Sequence, residues 1–497
     1  MPTAYEQLKT RYESAHILNT IQAILLWDER VMMPPASGAE RTGMRRVINE
    51  TIRNHYMLSS EVKDLLQDAQ HEMHTLSEWD KRNLQHMINA YDDPPLDIVP
   101  NLRTDLRNAE SLCRQVWPVA RTNNNWDAMA APFGQMVYYR RLLNTAIAAV
   151  REEPAPYDVS LSMYSRKIRT RLFDQISDTL IPHLKEFLQT HGKPVATTPD
   201  VAPLAIPPHI QLTVMQRVIA DMGFDFSQGR LDTAMKAFFE NTDHDRRIVT
   251  TVNPGNFMNG MSSTVHEAGH ALHYQYLPKD WITQPVGKAG DFCMREAVAF
   301  IWQIFVAQTK EFHIYLAKHL QDIAGMRVDP IALFNAQNTI RPSFLRIGSD
   351  PATYALHIMI RYRIERDLVN GTQDVKTLPQ RWADEYREAL NVEVPDNTYG
   401  VLQDIHWYKG SFGYFPCYLL ALLYAAQLFQ KAQQDIPNLV AGFATGNFAP
   451  LVQWLRDKIY SQANFYDGLT LLENATGEPL NPVHFMDYLK NRYQVTT

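Results

Sequence analysis

The stretch STVHEAGHALHYQY, residues 263–276, reads as a single helix that carries several chemically capable side chains. Residues four apart on a helix lie on one face, one turn above each other. His266 and His270 can therefore point at the same spot and hold one metal ion. Glu267 sits beside that spot, where it can take a proton from a water. A His-Glu-x-x-His run arises by chance in roughly one protein of this composition in thirty, so two histidines on a polar helix face are the plain alternative. The surroundings weigh against that alternative. Ser262, Ser263 and Thr264 stand where an N-cap is expected, immediately before the motif. Gly269 costs helix stability at an interior position, which implies a close-packing or functional reason for it, and it lets another backbone approach the metal site closely.

This spacing is the mechanical signature of zinc peptidases. Such a site needs a third protein ligand and an open position for water. The segment GDFCMREAVAFIWQIFVAQ (290–308) predicts a return helix with Glu296 in its first turns. Glu296 follows His270 at a distance that suits a helix, a loop and a helix crossing back. Asp291 is the competing carboxylate. His273, one turn beyond His270, is a further rival that fits packing better. A glutamate near a helix start is also favoured by the helix dipole alone. Upstream, RRIVTTV (246–252) is the one good strand candidate, and Asn253-Pro254-Gly255 follows it. The edge of a strand in that place can hold an extended peptide by main-chain hydrogen bonds.

Elsewhere helical periodicity dominates, as in AYEQLKTRYESAHILNTIQAILLWDERV (4–31) and LFDQISDTLIPHLKEFLQTH (172–191). The expected fold is all-α: mostly helical, with a small β element next to the metal helix. With 497 residues, the chain exceeds the usual size of one core. HGKPVATTPDVAPLAIPPH (191–209), rich in proline, reads as an extended crossing. It would separate an N-terminal helical lobe, 1–200, from a catalytic lobe, 210–497, within one functional domain spanning 1–497.

The composition excludes several classes. Hydrophobic residues make up 45% and charged residues 21%, ordinary for a soluble globular protein. A net charge of −6 argues against nucleic acid or an anionic membrane as partner. Three scattered cysteines, Cys113, Cys293 and Cys417, give no disulfide framework and suit a reducing compartment. The N-terminal residues show no signal-peptide pattern, so the expected location is cytoplasmic. The longest apolar run, YFPCYLLALLYAAQLF (414–429), is short for a membrane span and reads as a buried core helix.

Peptide hydrolysis also needs donors for the oxyanion. Release of C-terminal residues needs a cation for the substrate carboxylate, a task that suits arginine's planar fork. Two regions are dense in such groups. IRPSFLRIGSDPATYALHIMIRYRIE (340–365) holds Arg341, Arg346, Asp350, Tyr354 and His357. GVLQDIHWYKGSFGYFPCY (400–418) holds Gln403, Asp404, His406, Trp407, Tyr414 and Tyr418. Taken singly, each of these residues fits a salt-bridged or aromatic-packed helix equally well.

Read together, these segments resemble the carboxypeptidase Taq family of metal-dependent carboxypeptidases over nearly the whole chain. WDERVMMPPASGAER (27–41) looks like the family's Trp-Asp…Met-Pro…Gly-Ala…Arg stretch, and GFDFSQGRLD (223–232) like the segment before its catalytic region. HEAGH (266–270) matches its zinc motif. LRIGSD (345–350) is similar to Ile-Arg-x-x-Ala-Asp, with Ser349 for alanine. GVLQDIHW (400–407) matches Gly-x-x-Gln-Asp-x-His-Trp in full. Two departures mark a divergent member. In Asp245-Arg246-Arg247-Ile248-Val249, valine replaces the threonine of Asp-x-Arg-x-Thr. In Arg295-Glu296-Ala297-Val298, only the glutamate of His-Glu-Ser-Gln remains, which supports Glu296 as third ligand.

The resemblance implies a helical fold with two lobes flanking a long deep groove, similar to thimet-type oligopeptidases and angiotensin-converting enzymes. It implies zinc, replaceable by cobalt, a homodimer, peptide substrates, and stepwise broad-specificity release of C-terminal amino acids. On this reading His266, His270 and Glu296 are the metal ligands and Glu267 is the general base. His406, Tyr414 and Tyr418 are candidate oxyanion donors, by likeness to the His…Gly-Tyr…Tyr arrangement of the related oligopeptidases. Arg346 is the first candidate for the terminal carboxylate, followed by Arg247 and Arg341. A zinc endo-oligopeptidase, or a catalytically weak peptide-binding protein on this scaffold, are the alternatives.

Overall fold

A computed structural model describes residues 2–92, 100–192 and 205–494. It is mostly helical, with one three-stranded sheet among the described residues. The chain forms two compact units, each assembled from three stretches. One comprises Met1–Pro94, Val201–Phe334 and Leu428–Gly477. The other comprises Pro95–Asp200, Asn335–Gln427 and Glu478–Thr497. The stretches 1–200 and 210–497, expected as lobes, thus each contribute to both units. Most of the proline-rich stretch 191–209 lies outside the described residues.

The first unit opens with the helix Ala4–Val31. Thr3 starts it with a reciprocal cap: its hydroxyl accepts from Glu6 N at 3.2 Å, and the Glu6 carboxylate accepts from Thr3 N at 2.8 Å. Tyr5, Leu8 and Tyr12 recur on one face and pack with Val62, Leu66, Ala69, Leu84 and Met87. Each large apolar side chain buried in this way stabilises by about 1.5–3 kcal/mol.

The sheet lies against the helix that carries the His-Glu-x-x-His motif. Strands β1 (Gly229–Thr233), β2 (Phe238–Asn241) and β3 (Arg246–Thr250) are ordered β1-β3-β2. β3 pairs parallel with β1 and antiparallel with β2. The expected strand is therefore present, but it is central. Both of its hydrogen-bonding sides are taken, so it offers no free edge to a peptide; the outer strands are β1 and β2. Neither was legible, because GRLDT and FFEN are too short to show an alternating pattern.

The motif helix spans Phe257–Gln275, and its N-cap is Asn256, whose side chain accepts from Asn259 N at 3.1 Å. Ser262, Ser263 and Thr264 are accordingly not a cap, since the helix begins at Phe257, more than a turn before them. Ser262 and Thr264 serve laterally instead. The Thr264 hydroxyl meets the Thr250 hydroxyl at 2.7 Å and donates to Gly260 O at 2.8 Å, fastening the helix to β3. Gly260 permits that approach, because a Cβ there would fall 2.6 Å from Thr251 O.

In the second unit, the helices Pro100–Thr122 and Trp126–Arg151 pack along each other and anchor the irregular segment 391–413. Trp117 Nε1 donates to Leu402 O at 3.0 Å, and Arg140 donates both to Glu110 at 2.7 Å and to Gly410 O at 3.2 Å. From the helix Pro351–Asn370, buried Glu365 accepts from Tyr157 Oη, Trp407 Nε1 and Gly413 N at 2.7–2.8 Å. The run 414–429 lies in the helix Tyr414–Asp435, whose apolar side chains are buried, as expected. Among the described residues no helix is long and apolar enough to cross a membrane. All three cysteines are buried and none forms a disulfide.

Candidate metal centre

His266 and His270 stand one turn apart on the motif helix, with ring centroids 4.9 Å apart and planes at 86°. The return helix, Phe292–Phe300, brings Glu296 to both of them. Glu296 Oε2 is 3.5 Å from His266 Nε2, and Glu296 Oε1 is 3.8 Å from His270 Nε2. One ligand atom from each residue lies within 4.8 Å of the others. Tetrahedral ligands at zinc-type bond lengths are about 3.4 Å apart, so this set closes on a cation with small adjustments. Glu296 Oε2 is buried and makes no well-formed hydrogen bond, leaving lone pairs that a cation satisfies. Two imidazoles and one carboxylate form the donor set of a catalytic divalent-metal site.

The rival ligands have other work. Asp291 is the N-cap of the return helix, accepting from Met294 N at 2.9 Å and from Gly468 N at 3.1 Å. His273 is buried against Tyr460, with centroids 4.9 Å apart, and burial drops its pKa to about 3. It is a neutral packing residue.

Gly269 explains how the two helices come so close. A Cβ there would lie 2.9 Å from Ala299 Cα and 3.0 Å from Trp302 Cδ1. Beyond Phe300 the return helix widens to π-type bonding over Ile301–Val306. That segment carries Gln303, whose Oε1 lies 2.8 Å from His266 Nδ1.

The charges of the centre are strongly coupled. Burial opposes a charged His266, but the nearby Glu296 and Glu267 outweigh it and lift its pKa to about 9. Burial dominates at His270, which falls to about 4. Burial also raises Glu267, to about 7. For Glu296 burial pushes upward, yet His266 and His270 hold the carboxyl below its usual range. Without a cation, a proton on His266 balances Glu296.

Around this core, Phe239 of β2 lies over His270 at 6.5 Å and against Tyr274 at 5.3 Å. Arg295, beside Glu296, reaches Tyr274 Oη at 3.4 Å and forms no ion pair among the described residues. Burial works against its charge, but Tyr274 and the carboxylates of Glu296 and Asp291 keep it protonated.

Within the second unit the other sequence candidates gather around buried Asp404. Arg346 donates to it at 2.8 and 3.3 Å, and fully buried Arg361 at 2.6 and 2.9 Å. Gln403 accepts from Arg361 at 2.9 Å and from Arg346 N at 3.2 Å. Burial would raise the Asp404 carboxyl, but the two arginines drive it far down. His406 stacks on Tyr414 at 5.2 Å and 16°, and burial lowers its pKa to about 3. Tyr414 Oη meets Tyr418 Oη at 2.6 Å. The three arginines proposed as carboxylate clamps differ. Arg247, in the first unit, is held by Asp245 at 2.6 and 2.9 Å and lies 4.2 Å from the Trp27 ring. Arg346 is braced by Asp404. Half-buried Arg341 has no side-chain hydrogen bond or ion pair among the described residues.

The sequence reading missed Gln303, Arg361 and Glu365. Gln303 carried a usable signal: it follows Glu296 by seven residues, a spacing that returns to nearly the same helix face. Arg361 and Glu365 carried none, because Gln403, Asp404, Trp407 and Gly413, which they hold, are 42–48 residues away.

A helical fold with a His-Glu-x-x-His helix and a glutamate from a crossing helix defines the metallopeptidase class. The family description of the carboxypeptidase Taq (M32) metallopeptidases matches residues 7–493. Thermostable carboxypeptidase 1 of Thermus thermophilus is 29% identical, covering 99% of this chain and 98% of its own. Carboxypeptidase 1 of Bacillus subtilis is 27% identical, covering 95% and 94%. The solved structure of Pyrococcus furiosus carboxypeptidase superposes with a TM-score of 0.92 at 25% identity, covering 99% of each chain. The chain belongs to the carboxypeptidase Taq (M32) family and is a metallocarboxypeptidase.

Two outcomes follow from this geometry. Gly269→Ala gains helix propensity but drives a Cβ into backbone, so it should destabilise by about 1–3 kcal/mol net. Its metal affinity should fall as well, as read by denaturant midpoints and chelator competition; an unchanged protein would mean the helices have slack there. For a cation to bind, the His266 proton must leave. Zinc affinity should therefore rise about tenfold per pH unit between about pH 6.5 and about 8.5. A flat profile would show that His266 is already neutral in the metal-free protein.

Proposed function

We propose that His266, His270 and Glu296 hold one zinc ion, replaceable by cobalt, and that the enzyme removes C-terminal amino acids one at a time from peptides with broad specificity. The convergence of those three ligand atoms within 4.8 Å carries this reading. When bound, the metal supplies Lewis acidity to water and to the scissile carbonyl. Glu267 is the general base. Its half-buried carboxyl is raised to about 7, the range in which one group can take the water proton and then give it to the leaving amine.

His406, Tyr414 and Tyr418 are the proposed donors to the oxyanion. Their support is mutual: a stacked ring pair and a phenol–phenol hydrogen bond preorganise all three. Arg346 is the proposed partner of the terminal carboxylate. Asp404 restrains its guanidinium, which lowers the entropy lost on binding. Arg341, with no competing carboxylate, and Arg247 follow it. A homodimer and a cytoplasmic location belong to the same proposal and rest on likeness to the family.

The decisive experiment follows two matched peptides by mass spectrometry, one with a free C-terminus and one amidated, with and without chelator. A chelator-sensitive ladder from the free C-terminus alone is expected. Internal cuts in both peptides would make the enzyme an endo-oligopeptidase. No cleavage of either, in metal-loaded protein, would leave a peptide-binding protein. Glu267→Gln should keep the metal, measured by elemental analysis, while turnover falls by about 10²–10⁴-fold. Near-normal turnover would remove Glu267 from the mechanism.

A further inference from the structure

The metal helix and the return helix are joined by a side-chain bridge that none of the motifs contains. Gln303 Oε1 lies 2.8 Å from His266 Nδ1, and Gln303 Nε2 donates to Ser262 Oγ at 3.0 Å. Ser262 and His266 are one turn apart on the motif helix, so one amide from the π-helical segment spans that turn. We infer that Gln303 is a positioning residue for the metal centre, which fixes the tautomer and ring orientation of His266 with a neutral acceptor that Ser262 holds in place. This rests on the reading of His266 as a metal ligand.

The proton placement follows from the contacts. His266 Nε2 faces Glu296 at 3.5 Å, so Nε2 is the atom turned to the cation. It can coordinate only with its lone pair free, which puts the ring proton on Nδ1. Nδ1–H then needs an acceptor, and the amide oxygen of Gln303 is there. Turned over, the amide would present N–H to Nδ1, demand a lone pair there and move the proton to Nε2, ending coordination. In the productive orientation Ser262 Oγ accepts from the amide nitrogen and tethers the far end of the amide. Metal-bound histidines are commonly oriented in this way, and a carboxylate in that place also makes the ring more basic. An amide orients without adding charge, so Gln303 leaves His266 a weaker ligand than a carboxylate would.

The test uses full-length wild type, Gln303→Leu, Gln303→Glu and Ser262→Ala. Zinc dissociation constants come from competition with a chromophoric chelator, the cobalt-loaded forms are compared by visible absorption, and the metal-free forms by thermal unfolding. Gln303→Leu should weaken zinc by about 10–100-fold and alter the cobalt spectrum. Ser262→Ala should weaken zinc less, and Gln303→Glu should bind it more tightly than wild type. This order, Glu above Gln above Leu, is what orientation predicts; a residue that only packs would lose affinity in both Gln303 variants. Should Gln303→Leu fail to fold, the comparison of Gln303→Glu with wild type still decides, and weaker binding by Gln303→Glu overturns the inference. Equal affinity of Gln303→Leu and wild type overturns it alone. A wild type that binds no zinc overturns the metal-centre reading and this inference together.

Discussion

The centre depends on how closely two helices cross at Gly269. With no Cβ at that position, the backbone at Ala299 and the ring of Trp302 pack directly on the motif helix. That contact brings Glu296 and Gln303 to His266, which sits one turn from Gly269's neighbour His270. Side-chain reach alone could not compensate for a wider crossing, because imidazole and carboxylate are short and bonds to a metal tolerate only a few tenths of an ångström. The second support comes from β3, which is fastened to the same helix through Thr250 and Thr264 and the bare Gly260. A strand and a helix thus hold the motif helix from different sides, and burial of Val265, Ala268, Ala271 and Leu272 makes the arrangement stable.

Burying His266, His270, Glu267 and Glu296 together is costly unless their charges are balanced. The balance falls short of complete: Glu296 Oε2 has no well-formed hydrogen bond, and His266 takes up a proton that it would not hold in water at neutral pH. A divalent cation resolves both at once. A charge cluster of the opposite sign lies in the second unit. There the one carboxylate of Asp404 meets two arginines, so the cluster is braced by paired hydrogen bonds and keeps one positive charge in excess. Glu365 satisfies three donors instead and pins the segment that carries Trp407 and ends at Gly413.

The departures from the family pattern fall on groups around the candidate ligands and spare His266, His270 and Glu296. Val249 is fully buried in β3, where a methyl group suits the packing. Ala297 and Val298 are buried on the return helix, where their apolar side chains pack into the core. Arg295 adds a cation beside Glu296 that meets the phenol of Tyr274 and lies over the Phe292 ring at 5.7 Å. With Gln303 as a neutral partner of His266, the surroundings of the centre are less negative than its three ligands alone suggest.

Much was legible in the chain because local rules govern it. Period-3.6 patterning gave the helices, including the whole of Ala4–Val31 and the buried helix that starts at Tyr414. The i, i+4 histidines marked the centre, and Gly269 announced a close neighbour. The helix start at Asn256 was misread, since a serine- and threonine-rich run signals a cap only when no earlier residue supplies one. The strand RRIVTTV was found, but its place between two partners could not be, because strand pairing depends on segments that carry too little pattern of their own. By itself, then, the sequence determined the helical class, from periodicity along the chain, and the pair of histidines that can meet a metal with a glutamate beside them, from spacing along one helix. Only the tertiary structure decided which carboxylate joins the histidines, that Gln303 meets His266, and that Asp404 is shared by Arg346 and Arg361. Those contacts join residues 26 to 58 positions apart, and the backbone path that closes such distances is set by packing rather than by any local periodicity.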